Sequence, residues 1–265
     1  MTTTIALAGK GGTGKTSIAA LLIRILIERN AGSILAIDAD PASNLHLALG
    51  LPPGRTVGDI REETLQTAQG GTPPAGMARQ DWLDHAVRMI LEEGDEVDLL
   101  AMGRPEGPGC YCAVNHMLRQ IIDALSRAYD YVVIDNEAGM EHLSRRTTRD
   151  VDILLLVSDP TLRGVLAAGQ MARLAEGLHI KVGRIYLLLN RVADSPSQLL
   201  QQAIAETGLE LAGVVPFDPT LAEFDGSGQP IAELPATSIA YQAVQELTGR
   251  LLNLPIPTKW RDGGL

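Results

Sequence analysis

The chain has 265 residues, 45% of them hydrophobic, and a formal net charge of −10, which is enough apolar content for one large core in a single domain. The negative balance leaves no electrostatic footprint for sequence-independent binding to nucleic acid. No run reaches the roughly 20 apolar residues of a membrane helix, since Arg24 interrupts Leu21 to Ile27. The N-terminus lacks the pattern of a signal peptide, so a cytoplasmic protein without membrane or nucleic-acid partners is expected.

In chain order, the strand-length apolar run Thr4–Ala8 opens into a glycine-rich turn and the amphipathic stretch Lys15–Arg29, and a second run, Ile34–Ile37, ends in Asp38-Ala39-Asp40-Pro41. Residues around 50–78 carry Pro52, Pro53, Gly70, Gly71, Pro73 and Pro74, which break any period and read as an insertion. A helix over Gln80–Glu93 and a strand over Val97–Ala101 follow, then a loop at 103–113 rich in glycine and proline, and a helix over Val114–Ala128. The strand Tyr131–Ile134 ends at Asp135. Beyond it alternate the strand Ile153–Val157, helix Leu162–Glu176, strand Ile185–Leu189, helix Ser197–Glu206, strand Leu211–Val215 and helix Ser238–Leu252. Near-continuous apolar runs suit parallel strands covered on both faces, and strand alternating with helix predicts an α/β fold, a doubly wound, mostly parallel sheet flanked by helices.

Gly9-Lys10-Gly11-Gly12-Thr13-Gly14-Lys15-Thr16 fits the eight-position phosphate-loop pattern in the strand-to-helix context that the pattern requires. Glycines at these positions let backbone N–H groups of Gly11, Gly12, Thr13 and Gly14 curl around phosphates, while the start of the helix, through Lys15, Thr16 and Ser17, adds its positive dipole end. Lys15 reaches the β- and γ-phosphates and the Thr16 hydroxyl serves Mg²⁺. The ordinary loop does not require a lysine at position 10; on its own it reads equally as a solvated surface residue. Asp135, at the C-terminal end of a strand, is well placed to hold Mg²⁺ through water, although a strand-ending aspartate also serves as a plain turn cap.

The only cysteines are Cys110 and Cys112. Two thiolates one residue apart can share one soft metal but leave a four-coordinate ion half satisfied. A twofold dimer would bring two pairs together into an S₄ site, tetrahedral for Zn²⁺ or square-planar for Ni²⁺. Buried apolar cysteines, a redox pair and a strained local disulfide are the competing readings. His116 is left outside this ligand set.

With Lys10 included, the phosphate loop resembles that of the ParA, MinD and nitrogenase iron protein superfamily. The resemblance implies a dimeric ATPase in which Lys10 reaches the partner subunit's ATP, Asp40 orients the attacking water and contributes to the Mg²⁺ site, and Asp135 is the Walker B aspartate. It also places Asn190-Arg191, Pro216 and Asp218 where the superfamily contacts the purine base, with Asn190 offering its side-chain amide to adenine, although Pro216 and Asp218 are equally ordinary turn residues. Cys110-Tyr111-Cys112 with Asn115, Leu118 and Arg119, and Glu137-Ala138-Gly139 with Glu141-His142-Leu143 and Arg145, is more narrowly similar to the CooC family of nickel-insertion ATPases for carbon monoxide dehydrogenase. That implies a homodimer using ATP and Mg²⁺, Ni²⁺ or Zn²⁺ at Cys110 and Cys112, and an apo nickel enzyme as partner. Thr13, Ala113 and Asn136 depart from the family pattern. A positioning ATPase of the ParA or MinD kind and an iron–sulfur cluster carrier are the alternatives.

Overall fold

The computed structural model describes residues 2–60, 62, 78–103, 120, 122–139, 150–177 and 181–254. Its apolar runs become seven strands: β1 (Thr3–Gly9), β2 (Ile34–Ala39), β3 (Asp98–Ala101), β4 (Tyr131–Asn136), β5 (Asp150–Ser158), β6 (Lys181–Val192) and β7 (Glu210–Pro216). They form one sheet in the order β3-β2-β4-β1-β5-β6-β7, with every neighbouring pair parallel. The helices are α1 (Lys15–Glu28), α2 (Leu45–Leu49), α3 (Arg79–Met89), α4 (Leu162–Gly177), α5 (Gln198–Thr207), α6 (Pro219–Ser227) and α7 (Ile239–Leu252), with a 3₁₀ turn at Ile231–Glu233. Residues 57–60 and 122–126 are also helical.

Because successive strand residues face opposite sides of a sheet, Ile5 and Leu7 enter one apolar layer with α1, α2 and α7, whereas Ala6 and Ala8 enter the other with α3, α4 and α5. The α1 helix is covered on nearly all sides, burying Ile18 through Ile23 and then Ile25 and Leu26. Arg24, the charge that interrupts this run, is accommodated by an ion pair with Glu28 at 2.7 Å, by donation to the Leu234 carbonyl, and by the Tyr241 ring 4.5 Å away. No helix of the described residues is long and apolar enough to cross a membrane.

The structure departs from the sequence expectation in both boundaries and elements. Helix α3 stops at Met89 instead of Glu93, because Glu92 turns out to exchange backbone hydrogen bonds of 2.9 Å with Leu99 in an antiparallel bridge. Strand β6 extends back to Lys181, where exposed side chains hide a ladder that still pairs with Asp150 and Val151 of β5. Helices α2 and α6 were not anticipated. Residues 114–119 and 121 of the expected helix over 114–128 lie outside the described residues, as do 63–77 of the insertion; within that insertion Thr56 bridges Ala101 beside β3.

Candidate functional site

All strands point the same way, so their C-terminal ends share one rim, and the sheet order reverses direction there beside β1. A ligand crevice is expected at such a switch point. The chain leaves β1 through residues 9–14 and enters α1 at Gly14, whose φ of +87° only glycine adopts freely. Helix α1 has neither a side-chain cap nor an acidic residue in its first turn, so its leading N–H groups and positive dipole end are presented to an anion. The Lys10 carbonyl accepts from the Thr13 hydroxyl at 2.9 Å and from Lys15 Nζ at 3.2 Å, and Lys10 Nζ itself donates to the Arg163 carbonyl at 3.1 Å. Gly11, Gly12 and Thr13 form the turn between them, and Ser17 is buried in the first turn of α1. The Gly139 N–H donates to the Gly9 carbonyl at 3.1 Å, which lays the segment following β4 against the start of this loop.

Two carboxylates are buried beneath the loop, each 1% exposed. Asp135 accepts from the Thr16 hydroxyl at 2.6 Å through Oδ2, while its buried Oδ1 has no hydrogen-bond partner. Burial pushes its pKa up to about 7, against the opposing pull of Thr16 and Lys15. A buried carboxylate oxygen without a partner, next to a hydroxyl at the start of a phosphate-binding helix, fits a divalent cation; Thr16 and Asp135 are the residues that would hold it. Burial likewise raises Asp38 to about 6, but its two oxygens are committed to the N–H groups of Asp40 and Leu45, at 3.1 and 2.9 Å. Asp38 therefore shapes the turn after β2. Asp40 is partly exposed and accepts from the Ala42 N–H at 2.8 Å. Burial lowers the Lys15 pKa, and the nearby charges of Asp135, Asp40 and Glu137 oppose that shift, so Asp40 belongs to the same electrostatic neighbourhood as the loop lysine.

At the end of β6, Asn190 is buried, its Nδ2 donating to the Thr13 carbonyl at 2.8 Å and its Oδ1 accepting from the Arg191 N–H at 2.9 Å. The amide expected at the purine base thus braces the phosphate loop in this structure. Pro216 ends β7 on the same rim. Asp218 corrects the expectation: its carboxylate accepts from Thr220 N and Leu221 N at the start of α6, and from Ser238 Oγ and Ala240 N at 2.5 and 3.1 Å. Burial alone would raise its pKa, but these four hydrogen bonds prevail and hold it below the usual range. Its side chain is consumed by the chain itself. Cys110, Cys112 and His116 lie outside the described residues.

Two further residues take roles that the sequence reading did not assign to them. Asn136, noted only as a departure from a family pattern, donates to the Leu7 carbonyl at 2.8 Å and ties β4 to β1. Arg191, placed with Asn190 at the purine base by the resemblance, sits at φ +59° and donates to the Gly12 carbonyl at 3.0 Å.

A family model described as the CobQ/CobB/MinD/ParA nucleotide binding domain matches residues 4–231. The chain belongs to this family. It is an ATPase of the MinD/ParA/CooC group. An uncharacterised ATP-binding protein of Methanocaldococcus jannaschii is 45% identical, covering 94% of this chain and 98% of that one. The carbon monoxide dehydrogenase accessory protein CooC of Rhodospirillum rubrum is 33% identical, covering 84% of this chain and 87% of its own length. Among solved structures, the Pyrococcus furiosus cell division ATPase MinD superposes with a TM-score of 0.69 at 22% identity, over 96% of this chain and 100% of that one. At that identity the likeness shows the fold.

Proposed function

We propose that this ATPase is a nickel-delivery factor for a carbon monoxide dehydrogenase, with hydrolysis coupled to dimerisation and to metal binding at Cys110 and Cys112. The observation that carries the reading is the Cys110-Tyr111-Cys112 pair, which holds both cysteines of the sequence, in a family member that is 33% identical to a carbon monoxide dehydrogenase accessory protein. Two thiolates satisfy half of a four-coordinate soft metal, so a symmetric dimer completes an S₄ set from one pair per subunit.

In this reading Thr16 and Asp135 hold Mg²⁺, which would neutralise phosphate charge when bound. Lys15 and the uncapped start of α1 hold the phosphates, Lys10 turns from the Arg163 carbonyl toward the partner's nucleotide, and Asp40 orients the attacking water. Catalysis of this kind rests on positioning and electrostatics rather than on covalent chemistry by the protein. Coupling requires that nickel and ATP favour the same dimeric state, because only a differential affinity links two sites.

The test is nickel content and molecular mass after anaerobic equilibration with nickel in ADP and in ATP, beside a Cys110→Ser/Cys112→Ser variant. One nickel per dimer, dependent on ATP and lost in the variant, is the expected result; nickel binding unchanged by the variant rejects the thiol site. A second reading, a positioning ATPase, draws on a 27% identity to the septum site-determining protein MinD of Synechocystis over 95% of this chain. It predicts ATP-dependent association with a lipid surface and an ATPase indifferent to the two serines.

A further inference from the structure

We infer that Arg191 is a positioning residue of the phosphate loop, aiming a backbone N–H at the phosphates by holding the opposite end of the same peptide. The inference rests on the assignment of residues 9–16 as the phosphate site and is independent of the nickel reading.

A peptide unit is planar and trans, so its C=O and N–H point in opposite directions. For the loop to turn its N–H groups toward an anion, the matching carbonyls must point outward, where each needs a donor. The structure supplies one to successive units. The Gly12 carbonyl, in the same plane as the Thr13 N–H, accepts from Arg191 Nη1 at 3.0 Å. The Thr13 carbonyl, in the same plane as the Gly14 N–H, accepts from Asn190 Nδ2 at 2.8 Å. A Cβ at Gly14 would collide with that Asn190 amide, so the tip of β6 is packed directly against the outer side of the loop.

Arg191 is held for this task from two sides. Its backbone takes φ +59°, a left-handed conformation that a residue with a Cβ adopts at a cost and that recurs at functional sites. Its own N–H is fixed by Asn190 Oδ1 at 2.9 Å, and its other terminal nitrogen, Nη2, lies 3.7 Å from Asp225 Oδ2 on α6. The guanidinium therefore spans from α6 to the phosphate loop. A cation on a carbonyl also polarises the peptide and makes its N–H a stronger donor, so the charge of Arg191 reaches the phosphates through the Gly12–Thr13 peptide without touching them.

The role separates from base recognition by experiment. Binding of Mg-ATP and of Mg-tripolyphosphate, which has no base, is measured by calorimetry for the wild type and for Arg191→Ala, Arg191→Lys, Arg191→Gly and Lys15→Ala. A charge-assisted hydrogen bond predicts that Arg191→Ala weakens both ligands by the same factor, roughly tenfold to thirtyfold, with partial recovery in Arg191→Lys. Arg191→Gly, which relieves the backbone strain and melts higher than Arg191→Ala, is expected to share its binding defect, whereas a merely structural role would make binding follow melting temperature. Loss of ATP binding with tripolyphosphate unaffected would mean that Arg191 reads the base, and unchanged affinity for both would remove any role; either overturns the inference. Tripolyphosphate binding that survives Lys15→Ala would instead show that residues 9–16 are not the phosphate site.

Discussion

Helices α1 and α6 begin on the same rim of the sheet, each directly behind a strand, and the chain treats their N-termini in opposite ways. Helix α6 starts with a cap: Asp218 accepts from its leading N–H groups, Pro219 occupies the first turn, and the same carboxylate reaches across to Ser238 and Ala240 at the head of α7. Helix α1 starts at Gly14 with no side chain to spend on its N–H groups. A terminus closed by an internal carboxylate repels a second anion, while one left uncapped and backed by Lys15 attracts it. The difference between a structural end and a binding end is thus a single residue type at the cap, seen together with its partners.

That contrast can be broken from either side. The largest expected effect is on the binding end: Lys15→Ala should lower ATP turnover roughly 10²- to 10³-fold while leaving the melting temperature unchanged or higher, since a lysine disfavoured by burial has been removed. A steady-state phosphate-release assay and a thermal melt check both halves. On the structural end, Asp218→Ala leaves Ser238 and two helix starts without their acceptor and should cost about 3 kcal/mol of unfolding free energy. The folded fraction should keep wild-type ATP affinity; a selective loss of ATP affinity in a stable variant would restore Asp218 to the nucleotide site.

The third effect is a pH dependence. An acid whose folded pKa is raised keeps a proton that the unfolded chain has already lost, so the stability it contributes is full below about pH 4 and is lost as pH rises. With Asp38 at about 6 and Asp135 at about 7, the protein without nucleotide should lose several degrees of melting temperature between pH 4 and 7, most steeply in the middle of that window, where both folded carboxyls still hold protons that the unfolded chain has lost, and levelling off toward pH 7. Mg-ATP, which favours the ionised carboxylate, should offset the loss above pH 7. Melting curves of Asp135→Asn, flatter across this window whatever their absolute position, check the assignment. The smallest effect sharpens the comparison among caps: Ser197 accepts from Leu200 N at 3.3 Å at the start of α5, and Ser197→Ala should cost about 1 kcal/mol with turnover unchanged in a paired melt and activity assay.

The phosphate loop was legible because its chemistry is local: eight consecutive residues between an apolar strand and an amphipathic helix carry the whole signal. The seven strands were legible for a similar reason, since strands buried on both faces show as unbroken apolar runs. Helix α6 was missed although Asp218-Pro219 and Gly228 mark its two ends, because its amphipathic pattern is weak and Leu221 is its one fully buried side chain. The partners of Asp218 and Asn190 were not legible, because both residue types suit a ligand as well as a turn, and only the tertiary structure brings Asp218 to Ser238 and Asn190 to the Thr13 carbonyl.

Sequence by itself determined the alternation of strand and helix, the phosphate loop, the uncapped start of α1, and the concentration of both thiols at 110 and 112, all of which depend on neighbours along the chain. Tertiary structure decided the strand order, which sets β4 between β1 and β2 and thereby carries Asp135 to Thr16, 119 residues away. It also decided that Asn190 and Arg191 close the outer side of the loop across 177 and 179 residues. The physical reason is that a hydrogen bond depends on distance and direction in space, and two distant segments acquire these only when the sheet has placed them side by side.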